Sequence, residues 1–189
     1  MSSIFRTEPF QKGYTWTIIS KLGHILESAE KKFGERDKSY TILGVEITNQ
    51  SRPQIWYPGN SKNIIIQITD NCLFDLNRAV FQVAHESVHC LCPTEGNHTN
   101  VLEEGLANLF SIEYCKLNGH GDKWSANEID YTNASENVSK FLRYDSDIIK
   151  KLRAIEPKIS MINKDLIKKV NSSIPESLID NLTKKFNRF

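Results

Sequence analysis

Hydrophobic and polar positions alternate with the period of a helix near the start of the chain. Between Trp16 and Leu26 an apolar residue recurs every three or four positions, which is the spacing of an amphipathic helix. A charged stretch and then Gly34 follow, and this succession is typical of a helix end. The pattern therefore predicts an amphipathic helix over residues 15–34.

Three short segments, 40–48, 53–59 and 63–69, come next and are rich in β-branched and aromatic residues. Asn, Gly, Ser and Pro separate them, as in the turns between strands. They predict a small antiparallel sheet. The third segment, "NIIIQIT", could be a sheet edge along which an extended peptide adds as another strand, with an ordinary core strand as the alternative. Trp56 and Tyr57 could line an apolar pocket or belong to the core.

The remainder of the chain predicts helices. Residues 73–91 carry apolar side chains on nearly every face, which indicates a central buried helix. The segment 92–100 contains Pro and Gly and predicts a turn, and 101–119 predicts a second helix. Further helices are expected near residues 134–155, 162–171 and 175–187. The order of helix, sheet and helices predicts the α+β class, with the sheet packed on the two central helices.

Charge is unevenly distributed, although the net charge is only +1. Residues 150–189 hold ten Lys and Arg against four Asp and Glu, whereas residues 1–149 hold fourteen against nineteen. We therefore expect a main domain over 1–149 and a basic helical extension over 150–189 that packs on it. The near-neutral total gives no general bias toward anionic partners, so nucleic acid is at most an accessory partner of the extension.

The chain shows no apolar targeting segment at its N-terminus and no apolar stretch of membrane-spanning length. Its four cysteines lack the spacing of a secreted disulfide framework. These features predict a cytoplasmic protein with reduced thiols and no membrane partner.

The string "HESVH" places His85 and His89 one helical turn apart on the same face. Two imidazoles at that spacing can bind one zinc ion, and Glu86 can reach a water on that ion without being a ligand. The string matches the H-E-x-x-H pattern of zinc proteases. The alternative is a pair of core histidines, which would both have to be hydrogen-bonded to be buried without a metal.

A catalytic zinc site needs a third protein ligand and an open fourth position. The helix over 101–119 begins with the adjacent carboxylates Glu103 and Glu104. A hairpin through the preceding turn would bring this helix start back across the two histidines, so either carboxylate is a candidate. Asn108 is one turn further along, where it could hydrogen-bond a ligand imidazole.

The two segments together resemble the gluzincin class of zinc metallopeptidases, which includes thermolysin-like enzymes and aminopeptidases. In that class a Glu from the next helix joins the two histidines. The "EEGLA" stretch is similar to the aminopeptidase Asn-Glu-Gly-aromatic-Ala segment, which implies Glu104 as the ligand. Asn108 stands where thermolysin-like enzymes have an Asp that orients a histidine. The resemblance covers residues 80–110, and its short spacer is similar to that of compact metallopeptidases of phages and mobile elements.

The resemblance implies a metallopeptidase with one Zn²⁺ ion, held by His85, His89 and Glu104. Glu86 would accept a proton from the attacking water and pass it to the leaving amine. The substrate would be a peptide or a particular protein. A zinc-binding regulatory or interaction module with little turnover is the alternative, and it is disfavoured because structural zinc usually has four protein ligands.

Several residues could supply a second donor to the oxyanion that develops during hydrolysis. Tyr144 and His120 are our preferred candidates, with His98, Tyr131 and Arg143 as alternatives. His24, on the first predicted helix, is assigned a structural role.

Other metal chemistries fit the sequence less well. A metzincin site would need Gly and His at positions where the chain has Cys92 and Glu95. Cys72 is about 20 Å from the metal face along the same predicted helix. Cys90 follows His89 and so leaves that face. The cysteines are therefore expected to be packing residues.

Overall fold

The structure is a computed structural model, and it describes residues 17–59, 62–94, 99–121 and 129–187. The helices and strands in chain order are α1 (Ile18–Phe33), β1 (Thr41–Thr48), β2 (Gln54–Trp56), β3 (Asn63–Thr69), α2 (Leu76–His89), α3 (Val101–Leu117), α4 (Ile129–Leu142), α5 (Ile148–Arg153), α6 (Lys164–Val170) and α7 (Glu176–Leu182). Short 3₁₀ helices cover Asp70–Cys72 and Ile159–Met161. The chain is α+β, as predicted.

The first helices form close to the predicted spans. The start of the predicted first helix, including Trp16, lies outside the described residues. Helix α2 begins at Leu76, later than expected, because the carboxylate of Asp75 accepts the Arg78 N–H at 3.0 Å and caps the helix there.

The single helix predicted over 134–155 is instead the two helices α4 and α5. Between them the Asp145 carboxylate accepts the Asp147 N–H at 3.0 Å. Asp side chains that bond the nearby backbone compete with helical hydrogen bonds, so the break follows from local chemistry that the apolar pattern does not reveal.

The sheet is mixed, so the prediction of an antiparallel sheet was wrong in part. Strand β3 is central, with β1 parallel on one side and β2 antiparallel on the other. The chain crosses from β1 to the far side of β3, where it forms β2, before it forms β3 parallel to β1. A parallel pair requires such a crossover.

The central position of β3 also means that it is not a sheet edge. Both of its edges are paired, and Ile64, Ile66 and Ile68 are fully buried. The isoleucines alternate along the strand, so they share the face that packs against the helices. The segment "NIIIQIT" is therefore a core strand, and β1 and β2 are the edges.

Helices α2 and α3 form the centre of the structure, as predicted for residues 73–91. Ten of the fourteen residues of α2 and eleven of the seventeen of α3 are buried. The two helices pack along each other, and α2 also contacts β3. Among the described residues, no helix combines the length and apolar composition needed to cross a membrane.

Helix α4 approaches α3 closely at Gly105. A Cβ atom at this position would lie 2.5 Å from the Ala134 carbonyl oxygen and 2.7 Å from Cγ2 of Val138. A Cβ atom essentially never lies this close to another heavy atom to which it is not bonded, so only glycine allows the observed contact. The close approach brings the first half of α4 next to the start of α3.

The C-terminal helices share one hydrophobic core with the rest of the chain. Leu152, Ile167, Ile179 and Leu182 are fully buried and belong to the same cluster as the α2 and α3 side chains. The difference between residues 1–149 and 150–189 is therefore one of charge, with a core common to both.

Arg153 forms hydrogen bonds that link α5 to the C-terminal ends of α1 and α2. Its guanidinium donates to the carbonyls of Phe33 at 2.8 Å, Gly34 at 2.7 Å and Glu35 at 2.9 Å, at the end of α1. It also donates to the Leu91 carbonyl at 3.3 Å, just after α2. A cation at two helix C-termini is electrostatically favourable, and these bonds offset the cost of burying the charge.

We expect Arg153→Met to lower the free energy of unfolding by about 3 kcal/mol or more, because each buried carbonyl that loses its donor costs about 1–3 kcal/mol. Urea denaturation measures the change. The control is Arg143→Met, which alters an exposed arginine after α4 and should change stability by less than about 0.5 kcal/mol. Equal stabilities of the two variants would contradict this role of Arg153.

Candidate metal centre

Helices α2 and α3 bring three of the predicted ligands together. The imidazole rings of His85 and His89 face the same side of α2, with centroids 5.3 Å apart. Nε2 of His85 is 3.4 Å from one carboxylate oxygen of Glu104, and Nε2 of His89 is 3.7 Å from the other. One ligand atom from each residue lies within 4.8 Å of the others. The three side chains therefore converge on one point.

The start of α3 is fixed by Asn100, and this sets the position of both carboxylates. The Asn100 side-chain oxygen accepts the Glu103 N–H at 2.9 Å, which caps the helix. The Asn100 amide donates to the carbonyls of Ile159 and Ser160, each at 3.3 Å. Glu103 and Glu104 then occupy the first turn of α3, where the helix dipole favours negative charge.

The distances at the centre fit ligands of a shared metal ion better than direct hydrogen bonds. A nitrogen-to-oxygen hydrogen bond is about 2.7–3.2 Å long, shorter than either the His85 or the His89 contact with Glu104. Two ligands that each bind zinc at about 2.0–2.1 Å with a tetrahedral angle are about 3.3 Å apart. Two imidazoles and a carboxylate are also ligands that zinc prefers.

Burial makes the charges at this site depend on one another. Glu104 has 0% of its surface exposed, and His85 and His89 are each 7% exposed. Burial by itself would lower the pKa of His89, but the carboxylates of Glu104, Glu103 and Glu86 outweigh it and raise the pKa to about 9. A cation that binds Nε2 of His89 must therefore displace a proton at neutral pH.

Glu103, the alternative ligand, contacts the other side of His89. Its carboxylate accepts a hydrogen bond from Nδ1 of His89 at 2.8 Å. This bond leaves Nε2 of His89 directed at Glu104 and fixes the tautomer of the ring. The structure thus gives the two neighbouring carboxylates different positions: Glu104 faces both Nε2 atoms, and Glu103 orients one imidazole.

Glu86 lies on the same turn of α2 as the histidines and is buried. The negative charge of Glu86 is one of the causes that raise the pKa of His89, so the Glu86 carboxylate is close to the candidate ligands. The group of possible ligands found in the described part of the chain contains His85, His89 and Glu104 and leaves Glu86 out. Glu86 is therefore close to the candidate ligands without belonging to the group.

Asn108 does not reach a histidine, contrary to the sequence expectation. Its amide donates to the Tyr131 carbonyl at 3.2 Å and to the Ser135 hydroxyl at 3.3 Å, both on α4. Its side-chain oxygen is buried without a hydrogen-bond partner among the described residues. Asn108 points toward α4 because Gly105 brings that helix so close, and it fixes the backbone at Tyr131.

Tyr131 is the aromatic residue that α4 places beside the metal centre. Its ring is half-buried and lies edge-on to His85, with centroids 5.8 Å apart. Of the residues considered from sequence as donors to the oxyanion, Tyr131 contacts a predicted metal ligand. The predicted helix began after it, at residue 134, so the apolar pattern gave no reason to prefer it.

The structure does not bring the preferred donors, His120 and Tyr144, to the site. His120 lies beyond the end of α3, which is about 20 Å from Glu104 along the helix. There it contacts Asn77 at 2.9 Å and Lys21 at 3.1 Å, and burial together with the Lys21 charge lowers its pKa. Tyr144 is 44% exposed and follows the far end of α4.

The other residues considered from sequence lie elsewhere. Nδ1 of His24 contacts the Tyr114 hydroxyl at 2.5 Å, between α1 and α3. Cys72 and Cys90 are buried, and burial raises the pKa of both thiols, which suits packing residues. Arg143 is exposed, and His98 lies outside the described residues.

Comparisons of the chain with models of protein families, with curated proteins and with solved structures find no match. The chemistry open to this centre is therefore inferred from its own residues.

We expect Glu103→Ala to weaken zinc binding about 10- to 100-fold, the usual effect of removing a group that orients a ligand histidine. Competition with a chromophoric chelator measures the dissociation constant. The control is Glu113→Ala on the same helix, where the carboxylate pairs with Lys32 on the surface. Glu103 would have no orienting role if both variants bound zinc as tightly as the unaltered protein.

Proposed function

We propose that the chain is a zinc-dependent metallopeptidase with a zincin-like arrangement of α2 and α3. One observation carries the proposal: a ligand atom from each of His85, His89 and Glu104 lies within 4.8 Å of the others, and Glu86 is buried next to His85 on α2. The ligands come from two helices of the core, so packing holds them in position.

The three ligands that the described residues offer match a catalytic centre better than a structural one. Structural zinc is normally closed by four protein ligands, whereas catalytic zinc has three and an open position. The described part of the chain offers His85, His89 and Glu104. When bound there, zinc supplies Lewis-acid chemistry that lowers the pKa of water and polarises a carbonyl.

Glu86 acts as the general base and then as the general acid in this proposal. Its carboxylate accepts a proton from the attacking water as the new bond from oxygen to the substrate carbonyl carbon forms. The same proton then passes to the amine nitrogen as the carbon–nitrogen bond breaks. Burial supports this role because packing around a buried side chain can hold it in one position beside the two histidines.

Strand β2 is the part of the sheet best suited to bind an extended peptide. Among the described residues it pairs with β3 on one side only, so its outer edge can accept another strand. The adjoining Tyr57 donates a hydrogen bond to the Thr94 carbonyl at 3.2 Å, just beyond the His89 end of α2. Trp56 is 44% exposed and could contact substrate side chains.

The substrate class and the cellular location are also part of the proposal. We propose a peptide or protein substrate and a cytoplasmic location. A nucleic-acid contact through residues 150–189 stays a prediction that no observed contact favours. Lysines there already pair with carboxylates, as Lys151 does with Asp145 at 2.5 Å and Lys164 with Asp180 at 3.1 Å.

We expect Glu86→Gln to retain one zinc ion per chain and to lower peptide hydrolysis by at least about a hundredfold, because only the proton acceptor is lost. Mass spectrometry can count new termini in a proteome-derived peptide library, and elemental analysis can count zinc. A chelator should abolish cleavage by the unaltered protein, and added zinc should restore it.

The matched control for this experiment is Glu27→Gln, which changes an exposed carboxylate on α1 and should leave hydrolysis unchanged. A Glu86→Gln variant that cleaves the library as fast as the unaltered protein would refute the role of Glu86. A folded but zinc-free variant would instead indicate that Glu86 helps to hold the metal.

A further inference from the structure

The segment Lys184–Phe186 lies against the start of α3. It forms an isolated antiparallel bridge between Lys185 and Asn100. The Val101 N–H donates to the Lys184 carbonyl at 2.9 Å, and the Phe186 N–H donates to the Thr99 carbonyl at 3.0 Å. These bonds fix the segment on either side of Asn100, the residue that caps α3.

The Phe186 ring also contacts Tyr131, the aromatic residue beside His85. It is 7% exposed and packs on Tyr131, with ring centroids 4.9 Å apart. Tyr131 in turn lies against His85. Two rings, those of Phe186 and Tyr131, therefore connect the C-terminal segment to His85, a predicted metal ligand.

The two histidines differ in what holds their rings. His89 is fixed by the hydrogen bond from its Nδ1 to Glu103. The ring of His85 contacts two other rings, those of His89 and Tyr131. Packing that limits a side chain to one rotamer can hold a ligand in its productive orientation. The position of Tyr131 thus bears directly on the position of His85.

We propose that Phe186 is a positioning residue, which holds Tyr131 against His85 and so fixes the orientation of that metal ligand. The role rests on the proposed zinc site. In this role the C-terminal segment helps to position a metal ligand. The basic charge of residues 150–189 gives no indication of such a role.

The surroundings of Phe186 support this role. An open groove of about 510 Å³ lies between α4 and the C-terminal segment, and Phe186 forms part of its wall. The other side chains of that wall are mostly polar and include Asn133, Asn137 and Asn181. They would not replace the apolar contact of the Phe186 ring, so its removal leaves Tyr131 without that contact.

The test uses the full chain loaded with Co²⁺, whose visible absorption depends on the number and geometry of its ligands. We expect Phe186→Ala to change that spectrum and to weaken Co²⁺ binding about tenfold. Phe186→Leu, which keeps an apolar contact with Tyr131, should restore most of both properties. Tyr131→Ala should give the same change as Phe186→Ala, and the two substitutions together should add little, because they interrupt the same contact.

A control separates positioning from a general loss of stability. Ile174 is fully buried between α6 and α7, and Ile174→Ala should lower the melting temperature without changing the Co²⁺ spectrum. If the unaltered protein binds Co²⁺ and Phe186→Ala leaves its spectrum and affinity unchanged, the positioning role is overturned and the zinc site stands. If the unaltered protein binds no Co²⁺, both the site and the role of Phe186 are overturned.

Discussion

The cost of burying the carboxylate of Glu104 is the constraint on which the rest of the site depends. A carboxylate with no exposed surface requires positive charge beside it. Two imidazoles approach it, and the carboxylates of Glu104, Glu103 and Glu86 raise the pKa of His89. A divalent cation would also supply positive charge beside this carboxylate. It carries more charge than a protonated imidazole and can bind both histidines and Glu104 in four-coordinate geometry. The electrostatics of this core position therefore support the proposed metal site.

Several features of the fold serve to hold that carboxylate in place. Asn100 fixes the first turn of α3, Gly105 lets α4 approach it, and Arg153 ties the ends of α1 and α2 to α5. Each acts on the backbone of an element that bears a ligand or packs against one. Because ligand positions must be accurate to about 0.5 Å, such backbone contacts matter to the site as well as to stability. The C-terminal segment, through Phe186, extends the same support to His85.

The local parts of this site could be predicted from sequence, whereas the parts formed by distant residues could not. His85 and His89 share a helix face by spacing alone, and the helix that brings Glu104 follows after a short turn. The direction of β3 depended on where β2 pairs in the sheet, which the periodic pattern of the sequence does not indicate. Phe186 is far from His85 in sequence, and its contact exists only because the C-terminal segment pairs beside Asn100. Asn108 was expected to reach a histidine from its position one turn after Glu104, and the sequence gives no sign of the close approach of α4 to which it bonds instead.

X-ray absorption at the zinc edge of the loaded protein tests the central claim most directly, since it reports the atoms around the metal without reference to activity. Coordination by His85, His89 and Glu104 predicts one zinc ion per chain, with two imidazole nitrogens and carboxylate or water oxygens at about 2.0–2.2 Å and no sulfur neighbour. A sulfur neighbour at about 2.3 Å, or a folded protein that retains no zinc, would contradict it.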